Sequence, residues 1–139
     1  MHRLIIAAAL LAAAACATTP APATAGAALY QQYCASCHGA EALGDGPAAA
    51  ALRTPVPDLS RISARHGGSF PAARVHEVID GRAALPAHGS RDMPVWGYEF
   101  EARSAAGAPG RATAQALTTQ LVDYLRSIQQ TGQEEAARP

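Results

Sequence analysis

The stretch Tyr30-Gln31-Gln32-Tyr33-Cys34-Ala35-Ser36-Cys37-His38-Gly39 decides how the rest of the chain is read. Leu29 and Tyr33 stand four apart, with Tyr30, Cys34 and Cys37 on a neighbouring stripe, so the spacing predicts a helix over Ala27 to Ser36. On such a helix Cys34 and Cys37 are one turn apart, and both sulfurs can reach the two vinyl groups along one edge of a haem. The imidazole of His38, next in the chain, then points at the iron from the same side. Two other chemistries use a Cys-x-x-Cys pair. A redox dithiol needs a βαβ context, and no segment here alternates like a strand. Tetrahedral zinc needs two further ligands at paired spacing, and His66, His76 and His88, ten and twelve apart, offer no such pair. The pattern therefore predicts one covalent haem c on Cys34 and Cys37, with neutral His38 as an iron ligand.

Toward the N-terminus, Met1-His2-Arg3 is a cationic head followed by an unbroken apolar run of 12 residues, Leu4 to Ala15. That run is short for a bilayer span, which takes about 20 residues, and it is apolar all round. Residues 1–15 read as a secretory signal. Residues 16–25 are rich in Pro, Ala and Thr, cannot bury a face and read as a tether, with Gly26 opening the folded part. Cys16, the third cysteine, stands at the end of the apolar run. An exported chain with an odd cysteine count needs an account of each thiol. Cys16 has three outcomes: lipidation after cleavage at Cys16, which anchors the chain to a membrane; ordinary cleavage before Gly26; or an uncleaved signal.

Toward the C-terminus, Gly39 to Pro57 is a glycine- and proline-rich loop with one helical turn over Ala48 to Leu52. A helix is predicted from Pro71 to Asp80, with Val75, Val78 and Ile79 on its apolar side and Gly81 ending it. Arg82 to Gly97 has no helical period. Leu117, Leu121, Tyr124, Leu125 and Ile128 mark the clearest helix, from Ala112 to Gln130. The fold class is all-α, three to five helices with long loops around one haem, in a domain over residues 26–130 followed by a polar tail, 131–139. Loops of that length need an organiser, and a haem is one. Apart from the initiator, Met93 is the only methionine, 55 residues after His38. Pro94 disfavours helix at Met93 and fixes the next φ, so the thioether can be presented to iron from extended backbone. The competing readings are a gap-filling core methionine, or His88, His66 or His76 as the sixth ligand.

The run Tyr30 to Gly39 resembles the opening of bacterial class I, single-haem cytochromes c. Gly44-Asp45-Gly46-Pro47, Pro57-Asp58-Leu59 and Met93-Pro94-Val95-Trp96-Gly97 follow in the order those proteins show, and the resemblance extends over residues 26–130. It implies that the first and last helices cross near one haem edge and that Met93 supplies the sixth ligand. By the same resemblance the carbonyl of Pro57 accepts a hydrogen bond from the far ring nitrogen of His38, with Pro47 as the competing candidate. Leu59 packs on the haem, and Trp96 and Arg91 reach its propionates, a packed tryptophan and a solvated arginine being the plain alternative. His88 lines the Met93 face without ligating.

His/Met iron has no open position for substrate, and the chain offers no nucleophile with a base, no paired carboxylates and no phosphate loop. The function that follows is one-electron transfer between redox partner proteins, in the periplasm or at a membrane surface, by a carrier or complex subunit that is not an enzyme by itself. With 11 basic residues, all arginine, against 11 acidic ones, the net charge of zero argues against a nucleic-acid partner. The rival is a haem-based sensor, or a peroxidase-like or gas-binding cytochrome, in which Met93 does not ligate.

Overall fold

A computed structural model describes residues 22–82, 93–103 and 110–130. Helix α1 spans Pro22–Tyr33 and α2 Ala35–His38. Helix α3 spans Ile62–Arg65, α4 Ala72–Asp80, α5 Trp96–Ala102 and α6 Gly110–Ser127. Among the described residues there is no strand, and the protein is all-α as predicted.

Several boundaries differ from the reading of the sequence. α1 starts at Pro22, so residues 22–25 of the expected tether are helical. Proline is well tolerated in a first turn, where the N–H has no partner to lose, and the alanines that follow are strong helix formers. The helix expected through Ser36 breaks at Cys34 (φ −116°) and resumes as α2. Helical hydrogen bonding bridges the break, from Cys34 N–H to the Tyr30 carbonyl at 2.8 Å and from His38 N–H to that of Cys34 at 2.9 Å. The turn expected near Ala48 to Leu52 is a 3₁₀ turn over Ala49–Ala51. A second 3₁₀ turn, Leu59–Arg61, leads into α3 and was not predicted. It is started by Asp58, whose Oδ1 accepts from the Ser60 N–H at 2.8 Å and the Ser60 hydroxyl at 2.6 Å. α5 was missed too, because seven residues are too few to display a period.

α6 is the spine. Its buried side is Ala114, Thr118, Leu121, Val122 and Leu125, and α1, α4 and α5 all pack against it. Thr118 is fully buried and spends its hydroxyl on the Ala114 carbonyl at 2.9 Å. Gly26 lets α1 approach closely, since a β-carbon there would come 2.8 Å from that of Tyr124. One turn on, the Tyr30 and Tyr124 rings meet at 5.2 Å. Phe100 brings α5 into the core, and Val75 with Ile79 bring α4, each such side chain contributing about 1.5–3 kcal/mol by burial. Beyond α6, Gln129 ties the C-terminal end to the loop. Its amide donates to the Leu59 carbonyl at 2.8 Å and accepts from the Ser63 N–H at 2.8 Å.

Candidate haem site

Cys34 and Cys37 are free, half-buried thiols, the first at the α1–α2 break and the second in α2. Burial, with a smaller push from Cys37, raises the Cys34 thiol to about 12. A disulfide oxidoreductase needs the opposite, a lowered thiol pKa, so this environment disfavours the redox-dithiol reading. Among the described residues no group of three or more His, Cys, Asp or Glu side chains is arranged to hold a metal ion.

His38 closes α2, and its position is set by the loop that folds back under it. Gly39 (φ +82°) turns the chain, after which Gly44 N–H donates to the His38 carbonyl at 2.8 Å. Gly46 N–H donates to Cys37 at 3.2 Å and Ala48 N–H to Ser36 at 2.9 Å. At Gly46 a β-carbon would lie 2.5 Å from the Ser36 carbonyl oxygen, so only glycine allows the two backbones to touch. Leu59 N–H reaches the Ala42 carbonyl at 2.7 Å, which draws the Val56–Asp58 segment alongside. The Pro57 carbonyl oxygen then stands 3.4 Å from His38 Nδ1, at the long end of hydrogen bonding; Pro57 and Pro47 are both exposed. Burial lowers the His38 pKa, and the Pro57 contact works weakly the other way. A neutral ring with its proton on Nδ1 leaves the Nε2 lone pair free for a metal.

Met93 is half-buried and packs against the same apolar cluster as Cys34, Leu59 and Trp96. Trp96 sits between Tyr33 (ring centroids 5.4 Å) and Phe100 (5.5 Å, stacked), which joins the start of α5 to the end of α1. Pro94 is exposed. His66 is exposed with Nδ1 against the Ile62 carbonyl at 2.9 Å, and His76 is half-buried on α4. Arg91, His88 and Cys16 lie outside the described residues.

One contributor was not foreseen in its role. The Tyr30 hydroxyl, fully buried, donates to the Gly39 carbonyl at 2.7 Å and so fixes the turn that follows His38. Its stripe marked it as core, but nothing in the spacing shows a hydroxyl's partner nine residues away. For a haem, the chain thus supplies two thiols a turn apart, an imidazole whose Nδ1 faces the Pro57 carbonyl, a thioether and an apolar bed. The donor set fits that group.

Residues 21–108 match the family model described as cytochrome c oxidase, cbb3-type, subunit III. The match covers more than half of the chain, and the protein belongs to this family of c-type cytochromes. It binds haem c covalently and acts in haem-based electron transfer with redox partner proteins. No curated protein and no solved structure matched the chain. Among the described residues no helix is long and apolar enough to cross a membrane.

Proposed function

We propose that the protein is an exported single-haem electron carrier or electron-transfer subunit, with haem joined to Cys34 and Cys37 and iron held between His38 and Met93. The observation that carries this reading is the 5.4 Å contact of Tyr33 with Trp96. It sets the residue before Cys34 against the residue three places after Met93, while Cys34 and Met93 pack on one core. Haem, when bound, supplies a one-electron iron centre, and a His/Met set raises its potential relative to other ligand sets. The chain's part is to hold that centre still. Burial favours neutral His38, the Pro57 carbonyl orients its ring, and Leu59 and Trp96 pack on the apolar cluster that would bed the haem. By resemblance, Arg91 and Trp96 also face the propionates.

Residues 1–15 are proposed as a secretory signal. Residues 16–25, helical from Pro22 onward, link a lipidated Cys16 to the haem domain. The family description names an oxidase subunit, which favours an oxidase as electron acceptor or host complex, on the periplasmic side. Intact mass of the mature chain tests the anchor: a species starting at Cys16 with acyl mass supports it, and one starting at Gly26 rules it out.

The ligand set is tested by Met93→Ala. The ferric parent should show the weak sulfur-to-iron charge-transfer band at the red edge of the visible. The variant should lose it, fall in potential and bind carbon monoxide readily when reduced. An unchanged spectrum and potential would mean another sixth ligand and would favour the sensor or gas-binding reading.

A further inference from the structure

α4 ends at Gly81, whose φ of +71° turns the chain so that Arg82 points back at α5. Arg82 Nη2 donates to the Gly97 carbonyl at 2.8 Å and to the Glu101 carboxylate at 2.7 Å. Nε is buried and lies 3.7 Å from the Asp80 carboxylate, an ion pair too long to be a hydrogen bond. The guanidinium carbon sits 5.1 Å from the centre of the Tyr98 ring, and only 17% of the side chain is exposed. The backbones beneath also touch. A β-carbon at Gly81 would come 3.1 Å from Val95 Cα, and one at Gly97 would come 2.7 Å from the Asp80 carbonyl oxygen.

Other arginines differ from this. Arg74, Arg103 and Arg126 are more than half exposed, and each pairs with a carboxylate three or four residues away. A largely buried guanidinium is an expensive way to gain stability, because desolvation offsets most of the Coulomb attraction. What it does supply is geometry. Its donors fix one backbone carbonyl and one carboxylate together while its flat face rests on a ring. Gly97 is only four residues beyond Met93, and stiff Pro94 lies between them. A shift of Gly97 is therefore transmitted to Met93.

We propose that Arg82 is a positioning residue for the Met93 thioether: by fastening the end of α4 to Gly97 and Glu101 of α5, it fixes where Met93 is held. This rests on the reading of Met93 as an iron ligand. The test uses the haem-loaded protein with Arg82→Met, Arg82→Lys and Glu101→Gln. It reads the ferric sulfur-to-iron band, the reduction potential and carbon monoxide binding to the ferrous form. Arg82→Met should weaken the band, lower the potential and raise the carbon-monoxide-accessible fraction about tenfold, as expected for a shift between bound and released thioether. Arg82→Lys should recover part of each change, since an ammonium keeps the charge but not the fork or the stack. Glu101→Gln should move all three in the same direction by less. Parent values of all three in Arg82→Met would overturn the inference, even if the variant were less stable. Should Arg82→Met fail to fold, parent values in both other variants would overturn it. If the parent itself lacks the band, or Met93→Ala leaves it in place, the ligand reading fails and takes this inference with it. If the parent has the band and Met93→Ala removes it, an unresponsive Arg82 sinks the positioning role alone.

Discussion

Between Ser36 and Leu59 the backbone bonds to itself across the loop, whereas residues 80–82 and 93–103 are joined by side chains. On the His38 side the contacts are Gly44 to His38, Gly46 to Cys37, Ala48 to Ser36 and Leu59 to Ala42, all N–H to carbonyl. On the Met93 side they are the Arg82 guanidinium and the rings of Tyr33, Trp96 and Phe100. A backbone mesh is indifferent to most side chains, but it demands glycine wherever two strands of chain cross. The Met93 side has glycine contacts of its own, Gly81 against Val95 and Gly97 against Asp80, but the hydrogen bonds that join its segments come from one side chain, which a single substitution can change. The His38 side is thus held mainly by backbone, and the Met93 side by side chains that a single substitution can alter.

The comparison breaks first at the thiols if they are not what fastens the cofactor. Cys34→Ala with Cys37→Ala should remove covalent haem completely, read as loss of the haem-stained band on a denaturing gel. A parent protein that gives up its haem to acid and organic solvent would contradict the assignment of both cysteines. Gly46→Ala comes next. Its β-carbon would meet the Ser36 carbonyl oxygen at 2.5 Å and that of Cys37 at 2.6 Å, atoms held by the mesh itself. The expected loss is about 2–3 kcal/mol in denaturant unfolding. A loss under about 0.5 kcal/mol would mean the mesh yields easily and the His38 side is no stiffer than the other.

The two sides were also unequally legible in the sequence. Cys34, Cys37 and His38 announce their chemistry by spacing, and the amphipathic stripe of α6 announced the helix that everything packs on. Met93 stood out because no other methionine competes with it after the initiator. α5 and α3 did not show, because seven and four residues carry no readable period. The capping Asp58-x-Ser60 pair was the available signal for the turn before α3. Nothing in the sequence sets Arg82 apart from the other arginines. Its burial is produced by the close approach of Gly81 to Val95 and Gly97 to Asp80, a tertiary event that no local pattern encodes.

Tyr30 sharpens the comparison, since it is a fully buried side chain that supports the mesh, alongside the exposed amide of Gln31 on the Ala40 carbonyl. Tyr30→Phe leaves the Gly39 carbonyl without its 2.7 Å donor, which should cost about 1–1.5 kcal/mol at neutral pH. Burial, chiefly, raises the Tyr30 pKa well above the ordinary value of about 10, with Cys34 and Tyr124 adding to it. Above that pH the unfolded chain ionises while the folded chain keeps its proton. Tyr30's contribution is therefore full below about pH 10 and declines as the pH rises toward the raised folded value. Tyr30→Phe should flatten that decline without abolishing it, since Tyr124 is raised too, by burial and Glu41. Unfolding curves at pH 9 and above about pH 10 check both parts. An equally steep decline in the variant would mean that Tyr30 is not the group being titrated.

The smallest effect is expected at Arg103, which by position alone should matter as much as Arg82. It follows α5, pairs with Glu99 at 3.8 Å and lies over the ring of Tyr33 at 5.8 Å, so it links α5 to the end of α1, just before Cys34. Its side chain is 60% exposed, however, and its partner Glu99 is half exposed. Water screens both the ion pair and the cation–π contact, and ordering a long side chain offsets much of what remains. Arg103→Ala should change stability by about 0.5 kcal/mol or less and leave the ferric band and potential at parent values. Arg82 and Arg103 are then two arginines that both reach α5, one from the end of α4 and the other toward α1, distinguished by burial and by what their donors reach. If Arg103→Ala moved the band as far as Arg82→Met does, any arginine near α5 would serve, and the special place given to the buried one would be lost.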